Sequence, residues 1–178
     1  MNIDNLIELG NDLREQRQPS KALECYAQAF VDDFNSAAAW NNYGNVIREM
    51  GYPERAIPFL ENALRIVPNY STARFNLAVS QLLMGDYERG WASYESRWEY
   101  EHLAGTLPKF NKPRWQGEDI KDKTVLILGE QGLGDCVQFV RFVVAIHQLG
   151  GRAILQLPDT MVPLFKACLL YTSDAADE

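Results

Sequence analysis

The chain repeats itself every 34 residues, and that period restricts its fold more than any other feature. Gly10 and Gly44, Ala22 and Ala56, Tyr26 and Leu60, and Ala29 and Ala63 all stand one period apart. The series continues from Gly44 to Ala78, Gly51 to Gly85, Ala56 to Gly90 and Leu60 to Tyr94. Small residues fall within helical apolar patterns, so each period predicts two antiparallel helices that approach closely where side chains are small. Gly51 and Gly85 suit the turn between them, where a positive φ is cheap only for glycine. Pro68 suits the break after a second helix, and Pro58 falls near the first turn of one, where a missing N–H matters least. One helical pair cannot bury its apolar face alone and about three are needed. The spacing accommodates three within 1–104, over 3–36, 37–70 and 71–104.

The second period carries Trp40, Tyr43, Gly44, Gly51, Ala56, Leu60, Ala63 and Pro68, and there the chain resembles the tetratricopeptide repeat family. The resemblance implies a mainly α solenoid of helical hairpins that takes a protein or peptide on its concave face. Asn42 and Asn76 share one repeat position on the first helices, where the first period has Glu8. Asn11 and Asn45, with Arg14 and Arg48, also recur one period apart on that face. An asparagine amide both donates and accepts, so a row of them can pair with the backbone of an extended peptide whatever its sequence. Such a row is similar to the asparagine ladder of O-linked N-acetylglucosamine transferases. Asn11, Asn42, Asn45 and Asn76 are therefore the candidate peptide-binding residues, with a merely solvated helix face as the alternative. The clamp of basic residues that seizes C-terminal carboxylates in some co-chaperone repeats is not evident.

Past the repeats, Trp91, Tyr94, Trp98 and Tyr100 predict an aromatic helix ending near Leu103, its buried stripe capping the stack. Gly105, Pro108 and Pro113 mark a linker over 105–122, with Trp115 docking on the domain that follows. TVLILG at 124–129 then reads as a fully buried strand of a parallel sheet. From about Asp135 to Leu149, Val137, Val140 and Val144 with Phe139 and Phe142 fall at helical spacing, Asp135 serving as N-cap. Gly150 and Gly151 stop that helix, and RAILQL at 152–157 reads as a second buried strand. The result is a βαβ unit within 123–167.

Between strand and helix lies EQGLGDC, residues 130–136. A phosphate-cradling P-loop needs Lys-Ser/Thr after its last glycine, whereas Gly134 is followed by Asp135 and Cys136. A dinucleotide fingerprint needs a further glycine where Val137 stands. An acid at a helix start also repels the phosphate that the helix dipole attracts. The turn is better suited to presenting a carboxylate at the C-terminal edge of a strand, where open α/β sheets hold their ligands.

W-x-G-E at 115–118, the strand, and EQGLGDCVQFVRF together resemble bacterial proteins in which tetratricopeptide repeats precede a glycosyltransferase-like domain related to the heptosyltransferases. That resemblance implies the opening βαβ of a Rossmann-like α/β domain of GT-B type. Gly134-Asp135 matches the family's Gly-Asp pair, which makes Asp135 the candidate base that deprotonates an acceptor hydroxyl. Glu130, Gln131 and Arg141 stand near the loop and would orient the acceptor, and Gly132 and Gly134 belong to the loop itself. The family's donor, a nucleotide sugar, binds mainly in a second half-domain that lies outside this chain. The expectation is a parent that transfers sugar and a fragment that is inactive and holds no cofactor. A non-catalytic interaction scaffold, with Asp135 only an N-cap, is the alternative.

Composition removes other classes. A net charge of −7 with no basic stripe argues against nucleic acid. No stretch approaches the roughly 18 apolar residues of a membrane span, and MNIDNLIELG lacks the basic and apolar regions of an export signal. Three cysteines without a CxxC pair and two histidines without a ligand-spaced partner point to the cytoplasm and away from metal. The final CLLYTSDAADE, 168–178, resembles a translated sequencing adapter, so the natural chain is expected to continue past Ala167.

Overall fold

In the computed structural model, which describes residues 2–99, 110–129 and 132–166, the first of two units, Met1–Pro108, is a row of helical hairpins. Helices α1 (Ile3–Glu15) and α2 (Pro19–Asp32) form one hairpin, α3 (Ala37–Glu49) and α4 (Pro53–Ile66) the next, α5 (Ser71–Leu83) and α6 (Tyr87–Tyr94) the third. First helices begin at 3, 37 and 71 and second helices at 19, 53 and 87, so the 34-residue period is also the structural one. Ala22, Ala56, Ala29 and Ala63 are fully buried where the helices meet. The ring of Tyr26 fills the space beside Gly10, and Leu60 fills the space beside Gly44. The hairpin turns pass through Gly51 at φ 90° and Gly85 at φ 79°. Arg17 holds the same place in the first hairpin at φ 57°, a left-handed position that costs an L-residue about 1 kcal/mol. Between hairpins, Phe30 stacks on Trp40 with ring centroids 4.2 Å apart, and Trp40 Nε1 donates to the Phe34 carbonyl.

Three expectations for this unit change. Pro58 lies beyond the first turn of α4 and removes a hydrogen bond from the helix interior, on a side where Glu54 and Pro58 are both exposed to water. The aromatic helix stops at Tyr94 and tightens into a 3-10 turn, Glu95–Trp98; Tyr100 and Leu103 lie outside the described residues. Nor is its stripe buried as a whole. Tyr94 packs on Phe75, while Trp91 is 53% exposed. Leu23 and Ile57, two periods and one period earlier, pack with Val46 of α3 and Leu77 of α5. No further first helix follows among the described residues of this unit to cover Trp91.

Gln81 is the misfit of the third hairpin. Its period-mates Leu13 and Ile47 pack in apolar clusters, yet Gln81 is buried with its Oε1 unpartnered among the described residues. An unmet buried acceptor carries its whole desolvation cost, and an apolar residue of similar shape removes it. Gln81→Leu is therefore expected to stabilise the chain by about 1–2 kcal/mol, seen as a higher urea midpoint. A lower midpoint would refute this account of the site.

The second unit, Lys109–Glu178, contains β1 (Thr124–Leu128), α7 (Leu133–Phe139), α8 (Val143–Gln148), β2 (Arg152–Gln156) and the short α9 (Val162–Lys166). The strands pair in parallel with Thr124 opposite Arg152 and Leu128 opposite Gln156, and the helical crossover runs between them. Strand burial departs from expectation: Thr124 and Leu126 on β1, and Arg152 and Ile154 on β2, leave one sheet face exposed. The crossover is not one helix either, because a 3-10 turn at Val140–Phe142 separates α7 from α8. Valines and phenylalanines crowd that stretch, and such side chains lose rotamer freedom in a helix. Its inward set is Cys136, Val143 and Ile146 with Val140 half-buried, whereas Val137, Phe139, Phe142 and Val144 are exposed. Trp115 Nε1 donates to the Glu118 carbonyl at 2.8 Å within the same turn, and the residue is 41% exposed.

Candidate functional site

The face shared by α1, α3 and α5 carries a connected chain of amides. Asn76 Nδ2 donates to Asn41 Oδ1 at 2.9 Å, Asn41 Nδ2 to Asn42 Oδ1 at 3.0 Å, and Asn42 Nδ2 to Asn11 Oδ1 at 3.1 Å. The Tyr26 hydroxyl, reaching in from α2, donates to the same Asn11 oxygen at 2.8 Å. Both lone pairs of that oxygen are thus taken. Burial pushes the Tyr26 phenol up to about 12; Arg14 opposes this, and Glu49 and Cys25 add to it. The hydroxyl therefore stays a donor at neutral pH.

This network distinguishes among the candidate residues. Asn76 is buried and committed to Asn41. Asn45 is also buried, donating to Glu49 Oε1 at 2.9 Å and accepting from Arg48 Nη2 at 2.5 Å. Asn11 and Asn42 are half-buried. Asn11 Nδ2 makes no hydrogen bond among the described residues, and Asn42 Nδ2 uses one of its two N–H groups. Asn41, the central member, carries no periodic signal, because its period-mates are Ile7 and Phe75. Only side-chain geometry across two helices shows its role.

In the second unit the Gly-rich turn leads from β1 into α7. Gly132, not Asp135, occupies the N-cap position, at φ 63°. Asp135 is the third residue of the helix, exposed and without a side-chain capping bond. Its carboxylate leans back toward Gly132, where an added Cβ would come within 3.1 Å of Oδ2. The N-cap expectation fails because a left-handed glycine starts the helix before the acid is reached. Gly129 is tightly enclosed, with Cys136 Sγ 3.0 Å from a notional Cβ, whereas Gly134 faces open space. Arg141 lies in the 3-10 turn with its guanidinium 5.2 Å from the centre of the Phe142 ring. Glu130 and Gln131 lie outside the described residues. Among the described residues, no group of three or more potential metal ligands occurs, and no helix is long and apolar enough to cross a membrane.

No family model matches the chain. Protein FlbA of Caulobacter vibrioides is 29% identical over 196 residues, a match covering 86% of this chain and 33% of FlbA. A match of that extent is longer than the first unit and takes in part of the second. Protein O-mannosyl-transferase TMTC1 of Mus musculus is 39% identical over 69 residues, covering 39% of this chain and 7% of that protein. That span is close to two periods. The chain thus spans a third or less of these relatives' own length. The Sgt2 TPR domain from Aspergillus fumigatus superposes with a TM-score of 0.51 at 28% identity, over 53% of this chain and 62% of that one. The second TPR of Spaghetti (RPAP3), bound to HSP90 peptide SRMEEVD, gives 0.52 at 18% identity, over 54% and 89%. The helical hairpins of the first unit have the tetratricopeptide repeat fold.

Proposed function

We propose that the first unit is a peptide-binding module that holds an extended polypeptide along the face of α1, α3 and α5. The observation that carries this reading is the pair Asn11 and Asn42, half-buried, joined to each other, and retaining N–H groups that no described residue accepts. Tyr26, Asn41 and Asn76 hold that pair in place, so little side-chain entropy is lost when a ligand binds. The Spaghetti repeats, which share the fold, are bound to a peptide, which supports the same use here. A reducing cytoplasm fits the free thiols of Cys25 and Cys136.

The test is an array of ten-residue peptides probed with the whole chain. Asn11→Ala with Asn42→Ala is expected to weaken every bound peptide about tenfold or more, two hydrogen bonds at about 1 kcal/mol each. Because the partner is peptide backbone, the loss should be even across sequences. An unchanged array, with helical content retained, would remove this reading.

The second unit favours an additional reading, the opening βαβ of a Rossmann-like, GT-B type glycosyltransferase domain in a longer protein. Its base would be Asp135 and its donor a nucleotide sugar. The supporting observation is an exposed carboxylate just past the C-terminal edge of β1, beside a glycine that leaves open space. The FlbA likeness supports repeats and α/β unit belonging together in a longer chain. TMTC1, named as a mannosyl-transferase, matches over about two periods only and adds nothing to the α/β unit. A scaffold without catalysis is the rival.

A further inference from the structure

One buried donor on the amide face has no acceptor. Arg48 Nε is buried and makes no hydrogen bond among the described residues. The same guanidinium is anchored at Nη2 by Asn45 Oδ1, and its side chain is 20% exposed. A buried donor left unmade carries the full desolvation cost of that group, and an acceptor supplied by a ligand is one way a protein offsets it. The nearest carboxylate does not fill the role. Glu49 Oε1 accepts from Asn45 Nδ2 at 2.9 Å and stays 4.0 Å from Arg48 Nη2.

A second guanidinium, that of Arg14 on the neighbouring helix, acts on Arg48 through its charge. The Asn42–Asn11 bond sets α3 beside α1 at that level. One turn further along each helix come Asn45 and Arg14, and Arg48 is bonded to Asn45. Burial pulls Arg48 below its ordinary pKa; Glu49 pushes it back up, and the Arg14 charge adds to the fall. The third repeat has Leu82 at this position, so the pair belongs to the first two repeats. Arg14 and Arg48 against Glu49 leave one positive charge in excess, which suits a carboxylate better than a phosphate of charge near −2. The planar fork of arginine matches carboxylate geometry.

We infer that Arg14 and Arg48 form an anion subsite that takes an Asp or Glu side chain of a peptide lying on the Asn11–Asn42 pair. This rests on the peptide-binding reading above. Acidic side chains at alternate positions of an extended strand fall on one face, so such a strand would reach the subsite while its backbone meets the amides.

The probes are three fluorescein-labelled twelve-residue peptides in which alanine alternates with glutamate, glutamine or phosphoserine. Binding to the whole chain is read by anisotropy at about 0.15 M salt, where surface charges are screened beyond roughly 8 Å. The glutamate peptide is expected to bind at least tenfold tighter than the glutamine peptide. Arg14→Gln and Arg48→Gln should each erase most of that preference, bringing the glutamate peptide's affinity down to that of the glutamine peptide. Arg48→Lys, which keeps the charge but lacks the Nε–H, should restore only part of it. The Arg48 Nε–H resonance should move on adding the glutamate peptide and stay still with the glutamine one. Equal affinities for both peptides, each weakened by Asn42→Ala, would overturn the subsite and leave the groove. Binding of neither would overturn both. Tighter binding of phosphoserine than glutamate would overturn the carboxylate assignment.

Discussion

Leu60→Ala is expected to destabilise the repeat unit by about 2–5 kcal/mol, the range for a leucine lost from a close-packed core. Leu60 is fully buried between Gly44 and Ile47 of α3 and Leu77 of α5, so its removal opens a space on both the α3 and the α5 side. It also covers Gly44, where an added Cβ would meet Leu60 Cγ at 2.9 Å and the Ala56 carbonyl at 3.2 Å. Gly44→Ala alone should therefore cost about 1–3 kcal/mol through overpacking, against at most about 1 kcal/mol gained in helix propensity. The double variant should cost less than the two single ones added together, since the new methyl enters space that Leu60 vacated. Recovery stays partial because the Ala56 carbonyl remains. Urea unfolding followed by helical circular dichroism measures all three. Whole domains are stable by only about 5–15 kcal/mol, and the middle repeat touches both neighbours, so Leu60→Ala should reach the outer repeats too. A loss below about 1 kcal/mol, or strict additivity, would contradict this packing.

The same packing explains which parts of the fold are legible in the amino-acid sequence and which are hidden. Gly10 with Tyr26 and Gly44 with Leu60 are each a small residue facing a large one across a hairpin. Such pairs recur at a fixed interval, so both partners are written in the period itself. Arg17 hides the pattern at one turn, because its backbone adopts the glycine-like conformation while its identity gives no sign of it. Asn41 is hidden for another reason. Its partners are Asn42 beside it and Asn76 on another helix, and no interval joins that pair as a repeat. In the crossover the apolar residues fall on every side, so spacing cannot select a face. Packing selects it: Cys136 with Val140 goes to Met161 and Phe165, leaving Val137 and Phe142 outside. The two strands are legible as a parallel pair, but one face of that pair stays exposed among the described residues, where a continuous apolar run suggests two buried faces.

In a longer protein that carries a donor-binding half, Asp135→Asn is expected to lower sugar transfer by about 10²–10⁴-fold, the usual contribution of a positioned general base. Asparagine keeps the size and the turn but cannot accept the acceptor's proton. The fall should therefore appear in kcat, with KM for the acceptor little changed. Two glycines sharpen the test. At Gly132 any side chain would be strained by φ 63° and would crowd Asp135 Oδ2, so Gly132→Ala should reduce kcat by displacing the carboxylate. At Gly134 a Cβ meets nothing within 4 Å, so Gly134→Ala should leave folding untouched and raise the acceptor's KM if the acceptor lies there. The measurement is initial-rate kinetics over a panel of nucleotide sugars. Undiminished transfer by Asp135→Asn would reduce that residue to a first-turn acid in a helix whose N-cap is already Gly132. The α/β unit would then have no assigned chemistry, and the peptide face of the repeats would be the remaining function.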